Sequence, residues 1–222
     1  MDKNKQKRAR TESDKLARSE AILEAASVLF DKNDYHQITM AIIAREAGVA
    51  KGTVFNYFST KEELFLSLTG KYFTRFFEKL TVILCGSGIS VDRTPENLSV
   101  AIYEALESQP QLLRIVVLLS GIIEKNVTYE SLNKFKKALL QQIFSIGLLL
   151  EQHYRFIPSG SGKQLLMWSY GILIGFQTLA NPEDIAQDII EKEHMELFSF
   201  DFKQEFTQLI KMIALGYSKE EL

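Results

Sequence analysis

The run from Ile38 to Phe65 limits this chain's fold more than any other segment. Thr39 is a good N-cap for a helix through about Ala47, and Gly48 supplies a left-handed stop. A second short helix is predicted from Lys51 to Tyr57, and Ser59-Thr60-Lys61-Glu62-Glu63 has the composition of a fresh helix N-terminus. Two short helices around a tight glycine turn have the spacing of a helix-turn-helix, whose second helix can enter a DNA major groove.

The flanking pattern completes a small head. Ile22, Ala25, Ala26, Leu29 and Phe30 fall at the intervals of a helix with one buried stripe, and Asp31-Lys32-Asn33-Asp34 ends it. Ile43, Ala44, Ala47, Val49, Val54 and Phe58 have the spacing to pack inward, which leaves Lys51, Thr53, Asn56 and Tyr57 on the outer side of the third helix. Lysine can reach guanine or a phosphate, threonine a base edge or thymine methyl, and asparagine an adenine. Thr39 and Lys61 stand at helix N-termini, where amides and side chain together can hold phosphate. All-α proteins that never touch DNA also contain helix–Gly–helix turns, and a lone surface lysine is ordinarily just solvated. Geometry alone leaves both readings open.

Charge leans modestly the same way. Residues 1–61 hold 11 Lys/Arg against 8 Asp/Glu, and the rest hold 15 against 20. A slightly basic end on an acidic body suits a polyanion bound at that end. Residues 1–12 read as a basic flexible arm, with no apolar run to make a secretory signal. The longest apolar run, Leu112 to Ile123, is too short to span a bilayer, and the single cysteine, Cys85, suggests a reducing compartment. A cytoplasmic protein without a membrane partner is expected.

Beyond the head the chain reads as helices. The fourth runs unbroken through Leu64, Phe65, Leu68, Tyr72, Phe76 and Leu80, to a break at Gly86-Ser87-Gly88. Thr94-Pro95 and Pro110 start two more, and a long one follows Tyr129 to about His153. Another spans Gly162 to Leu179, a connector with a short helix covers Glu183 to Ser199, and the last runs from Phe202 to about Gly216. The expected architecture is all-α, a three-helix head on a body of about six helices.

The body carries no catalytic constellation. His36, His153 and His194 lie far apart with no metal-ligand spacing, and Cys85, at a helix end, reads as a packed thiol. No metal or cofactor is expected. Several body helices are instead apolar on more than one side, and such surplus can line a pocket or a subunit interface. Phe76, Phe77, Tyr103, Phe144 and Trp168 are the pocket candidates. Gly171 and Gly175, four apart on an apolar helix, would allow close helix approach within one subunit or between two. Phe202, Phe206, Leu209 and Ile213 give the last helix an apolar face.

From Ala21 to Phe65 the chain resembles the DNA-binding domain of the TetR family of bacterial transcriptional regulators. The resemblance rests on Ile22 to Ala26 with Leu29-Phe30, then Thr39, Ile43-Ala44, Ala47-Gly48-Val49, Lys51-Gly52-Thr53, Tyr57-Phe58 and Lys61-Glu62, in one unbroken register. It implies that Lys51, Gly52, Thr53 and Tyr57 contact double-stranded operator DNA, with Thr39 and Lys61 on phosphates. Phe55 replaces the family's usual tyrosine and loses its phosphate-bonding hydroxyl, and Asp34 stands where glycine is usual.

The resemblance further implies residues 13–60 as DNA-binding domain and 61–222 as ligand-binding and dimerisation domain. The last two long helices would pair in a homodimer, and a small apolar or amphipathic effector would release the operator from a repressor. An all-α lipid-binding enzyme and a helical adaptor are the alternatives. The enzyme would need facing acids or metal-ligand pairs, whose patterns are absent from the sequence.

Overall fold

The computed structural model describes residues 3–86 and 93–219, and every regular element among them is helical. Helix α1 (Lys3–Lys32) starts well before Ser13. The charged run expected as a separate arm contains neither proline nor glycine, and its Lys, Arg, Gln and Ala residues favour helix, so it continues α1. A tight turn at Tyr35–Gln37 leads to α2 (Met40–Glu46), α3 (Lys51–Phe55) and α4 (Lys61–Cys85). Helix α3 stops short of Tyr57, with Asn56 as its C-cap.

Helices α5 (Pro95–Glu107), α6 (Pro110–Leu118), α7 (Tyr129–His153), α8 (Gly162–Ala180), α9 (Asp184–Lys192) and α10 (Phe202–Lys219) follow. Their starts obey local rules. Thr94 Oγ1 accepts the Asn97 N–H at 3.2 Å ahead of Pro95, and Thr60 Oγ1 accepts the Glu63 N–H at 3.1 Å. The break after α4 begins at Gly86, while Ser87 and Gly88 lie outside the described residues.

The chain forms two compact units. The first joins Met1–Thr69 with Gly121–Phe135, so the head takes in the start of α4 and the residues leading into α7. Ile22, Ala26, Phe30, Ile43, Val54 and Leu64 are buried in it, and the Phe65 ring meets Phe30 and Tyr35 edge-on at 5.5 and 4.9 Å. The second joins Gly70–Ser120 with Lys136–Leu222. Its core includes Leu80, Leu98, Ile115, Tyr154, Leu165 and Ile210.

Close helix approach inside the second unit falls at Gly147 on α7, not at Gly171 or Gly175. A Cβ on Gly147 would sit 2.7 Å from the Lys163 backbone nitrogen, whereas one on Gly171 or Gly175 would meet nothing within 4 Å. Cys85 is exposed rather than packed, with its Sγ 3.8 Å from His153 Nε2. No single helix among the described residues is long and apolar enough to cross a membrane.

Candidate nucleic-acid interface and apolar cavity

The turn between α2 and α3 is made as its residues require. Thr39 Oγ1 accepts the Ile42 N–H at 3.3 Å, and Gly48 adopts φ +64°. The Val49 N–H then returns to Ala44 O at 2.9 Å. Any side chain at Gly48 would be strained by that φ even though the space around it is open. Ile43, Ala44, Val54 and Phe58 are buried, which turns the other side of α3 outward.

Lys51, Gly52 and Asn56 are exposed there, with Thr53 and Tyr57 half-buried beside them, and Thr39 is exposed at the start of α2. Phe55 is 44% exposed, and Lys51 Nζ lies 5.8 Å from its ring centroid. The outer face of a short helix thus offers a cation, a hydroxyl and an amide to a groove. Asp34 needs no left-handed backbone, since its φ of −74° is ordinary extended geometry.

Lys61 has an internal task that its sequence position does not reveal. Its Nζ donates to Tyr35 O at 3.0 Å and Ile38 O at 3.1 Å, and sits 3.8 Å from the Tyr35 ring centroid. Burial draws the ammonium below the usual lysine range, against the opposing pull of Glu62. The Tyr35 hydroxyl donates to Glu62 Oε1 at 2.8 Å, and burial together with that carboxylate pushes the phenol far above its ordinary value. Lys61 and Glu62 therefore tie the turn at Tyr35 to the first turn of α4, and two of the three lysine N–H groups are occupied in doing so.

Glu63 makes a second tie within the same unit. Its Oε1 accepts from Thr128 Oγ1 at 3.0 Å and Ser131 Oγ at 3.3 Å, while Oε2 accepts from Ser59. The Ser59 bond first, then those from Thr128 and Ser131, hold this carboxyl below the usual range. A lowered folded pKa stabilises above the ordinary glutamate value and is lost as pH falls through the lowered one. Glu63→Gln is expected to lower the melting temperature by about 2–4 °C at neutral pH, for roughly 1 kcal/mol of charge-assisted bonding. The gap from the wild type should close below about pH 4. Thermal melts across pH check this, and a gap independent of pH contradicts it.

The second unit holds a cavity of about 320 Å³, within the size range of small-molecule sites. Phe73, Phe76 and Phe77 of α4 form one wall, and Ile102, Leu173 and Phe206 stand among the others. Among the described lining residues Lys136 is the only charged one. Of the five pocket candidates, Phe76 and Phe77 stand in the wall of this cavity and the other three do not. Tyr103 donates to Glu107 at 3.2 Å with Lys203 over its ring, and Phe144 is 46% exposed beneath Lys163. Trp168 is half-exposed and stacks on Tyr217 with centroids 6.3 Å apart.

Phe206 moves the opposite way. Expected on an interface, it is fully buried in the cavity wall, because Phe206, Ile210 and Ala214 at intervals of four are the inward stripe of α10. Phe202 continues that stripe one turn earlier, at the start of α10, while Leu209 and Ile213 flank it, and all three are half-buried. Trp168, Gly171, Gly175 and Leu179 form an exposed row along α8, and Met212, Leu215 and Gly216 are exposed on α10. Among the described residues no group of three or more His, Cys, Asp or Glu side chains comes together as a metal site would require.

Residues 22–68 match the family of bacterial regulatory proteins, tetR family, and residues 73–221 match the tetracyclin repressor-like C-terminal domain. A fatty acid metabolism regulator protein of Bacillus subtilis (strain 168) is 39% identical over 59 residues, which cover 27% of this chain and 30% of that protein. The chain thus aligns with under a third of that relative's length. The solved FadR of Bacillus halodurans, a fatty acid degradation regulator, is similar at TM-score 0.54, with 20% identity over 89% of this chain and 97% of the other. FadR from Bacillus subtilis in complex with stearoyl-CoA is similar at TM-score 0.53, with 18% identity over 87% and 96%. At such identities the likeness of the two structures establishes the fold.

Proposed function

The chain belongs to the TetR family of bacterial regulatory proteins, and on that premise we propose that it is a dimeric transcriptional repressor released from its operator by a long-chain acyl thioester. The observation that carries the DNA-binding part is the outer face of α3, with Lys51, Thr53 and Asn56 turned away from the head core. Thr39 and Tyr57 flank it, and Gly52 lets the backbone come close.

Two such faces, one per protomer, meet successive major grooves roughly 34 Å apart. The exposed rows of α8 and α10 supply the surface that joins the protomers. The effector enters the cavity, whose apolar walls suit an acyl chain, and Lys136 faces its anionic end. Three of the wall residues, Phe73, Phe76 and Phe77, ride on α4, the helix that begins in the head. A ligand that prefers one setting of α4 alters the separation of the α3 faces, and a few kcal/mol of differential affinity suffices to empty the operator. The acyl thioester is suggested by the ligand of the Bacillus subtilis FadR complex together with the lining of this cavity.

Fluorescence anisotropy with DNA flanking the chain's own gene tests this. Specific binding that stearoyl-CoA reverses, and that coenzyme A alone leaves intact, is the expected result. Lys136→Ala should raise the stearoyl-CoA concentration needed about tenfold while leaving DNA affinity unchanged. Specific DNA binding indifferent to every acyl-CoA would overturn the effector assignment and spare the DNA-binding one.

A further inference from the structure

The cavity of the second unit has an open side and a closed end. Leu140 of α7 and Met167 of α8 line it at 52% and 48% exposure, and Lys136, one turn before Leu140, is exposed with them. Ile102, Leu106, Leu112 and Phe206, from α5, α6 and α10, line it while buried. An apolar pocket open on one side, with a cation at its mouth, admits a chain methyl end first and keeps the polar end at the water.

Its size limits that chain. An apolar cavity of roughly 150 Å³ is filled by one benzene, which is about 25 Å³ for each carbon. At that density 320 Å³ takes about a dozen carbons. The neighbouring residues one turn along the same helices, Leu98, Ile115 and Ile210, are fully buried without lining the cavity, so the floor offers a longer chain no further space.

We propose that the cavity is a ruler for the acyl chain, filled by about twelve carbons between Lys136 at its mouth and Phe206 at its floor. This deepens the effector reading above and rests on it. Up to that length each methylene leaves water for an apolar wall, which is worth about fourfold in affinity. Beyond it the added methylenes stay at the mouth and bring no further gain. Phe206 sets the length at the floor, and Ser169 is the small side chain of the α8 wall, its hydroxyl turned back to Leu165 O at 2.8 Å within the same helix.

Isothermal titration calorimetry with saturated acyl-CoAs from octanoyl-CoA to stearoyl-CoA, each below its micelle concentration, tests the ruler. Dissociation constants should fall about fourfold per carbon as far as dodecanoyl-CoA and then level off. Phe206→Leu frees the volume of about three carbons and should carry the levelling point to about fifteen. Ser169→Leu takes up the volume of about two and should bring it back to about ten. The serine variant fills space rather than opening it, so it decides the matter should the phenylalanine variant fail to fold. Affinity that goes on rising to stearoyl-CoA, or a levelling point that a folded variant leaves in place, would overturn the ruler and spare the effector reading. Binding of none of these acyl-CoAs would overturn the effector reading and the ruler with it.

Discussion

A chain carrying Lys51→Ala and Thr53→Ala is expected to lose sequence-selective DNA binding roughly a thousandfold while melting at the wild-type temperature. Each lost contact is worth about 1 kcal/mol at the low end for groove contacts, and a dimer loses four of them. Lys51 is exposed and Thr53 half-buried on the face opposite Val54, so truncating both leaves the head core intact. Alanine also favours helix at least as well as either residue. Where Lys51 rests on phosphate, the variant should also show a shallower salt dependence, since fewer counterions are released. Anisotropy titrations at two salt concentrations read both effects. Unchanged selectivity in a folded variant would remove α3 from the interface.

The second large effect is expected at the glycines of α8. Gly171→Leu with Gly175→Leu should abolish dimerisation and, through it, operator binding, while making the isolated protomer about 1–2 kcal/mol more stable. The two signs come from two facts. A Cβ at either position meets nothing within 4 Å in the protomer, so leucine is accommodated and gains helix propensity. Both glycines lie on the exposed row with Trp168 and Leu179, where added bulk would hold a second helix off. Sedimentation and thermal melts separate the effects. A double-leucine variant that remains a dimer of unchanged affinity would place the subunit interface elsewhere.

How far these arguments could be made from the sequence differs between the two units. The head was legible because its constraints are local. Thr39 caps, Gly48 takes a left-handed φ that few other residues tolerate, and the turn leaves one way to pack Ile43 against Val54. The bonds of Lys61 to Tyr35 and Ile38, and of Glu63 to Thr128 and Ser131, were not legible, because they join residues 23 to 68 apart in sequence. The cavity was half legible. Helix α8 is apolar on nearly every side, so composition does not distinguish Leu173, which faces inward, from Trp168, which faces outward. Spacing does: Trp168 stands three residues before Gly171 and seven before Gly175, on one face with both. Phe202 shares the phase of Phe206, Ile210 and Ala214, and it is half-buried because it stands at the first turn of α10. Residue size suggested that the large aromatics meet in a pocket, whereas helical phase decides which of them do. Lys136 escaped notice because a lysine on a long helix is ordinarily solvated, and its place at the cavity follows from tertiary structure alone.

Selection of genomic fragments by the purified full-length chain tests the central claim most directly. Two α3 faces related by a two-fold axis predict enrichment of an inverted repeat, with half-site centres about 10 base pairs or a multiple apart. Lys51→Ala with Thr53→Ala should erase that enrichment. Fragments recovered without any shared sequence, or a repeat enriched equally by the double variant, would contradict it.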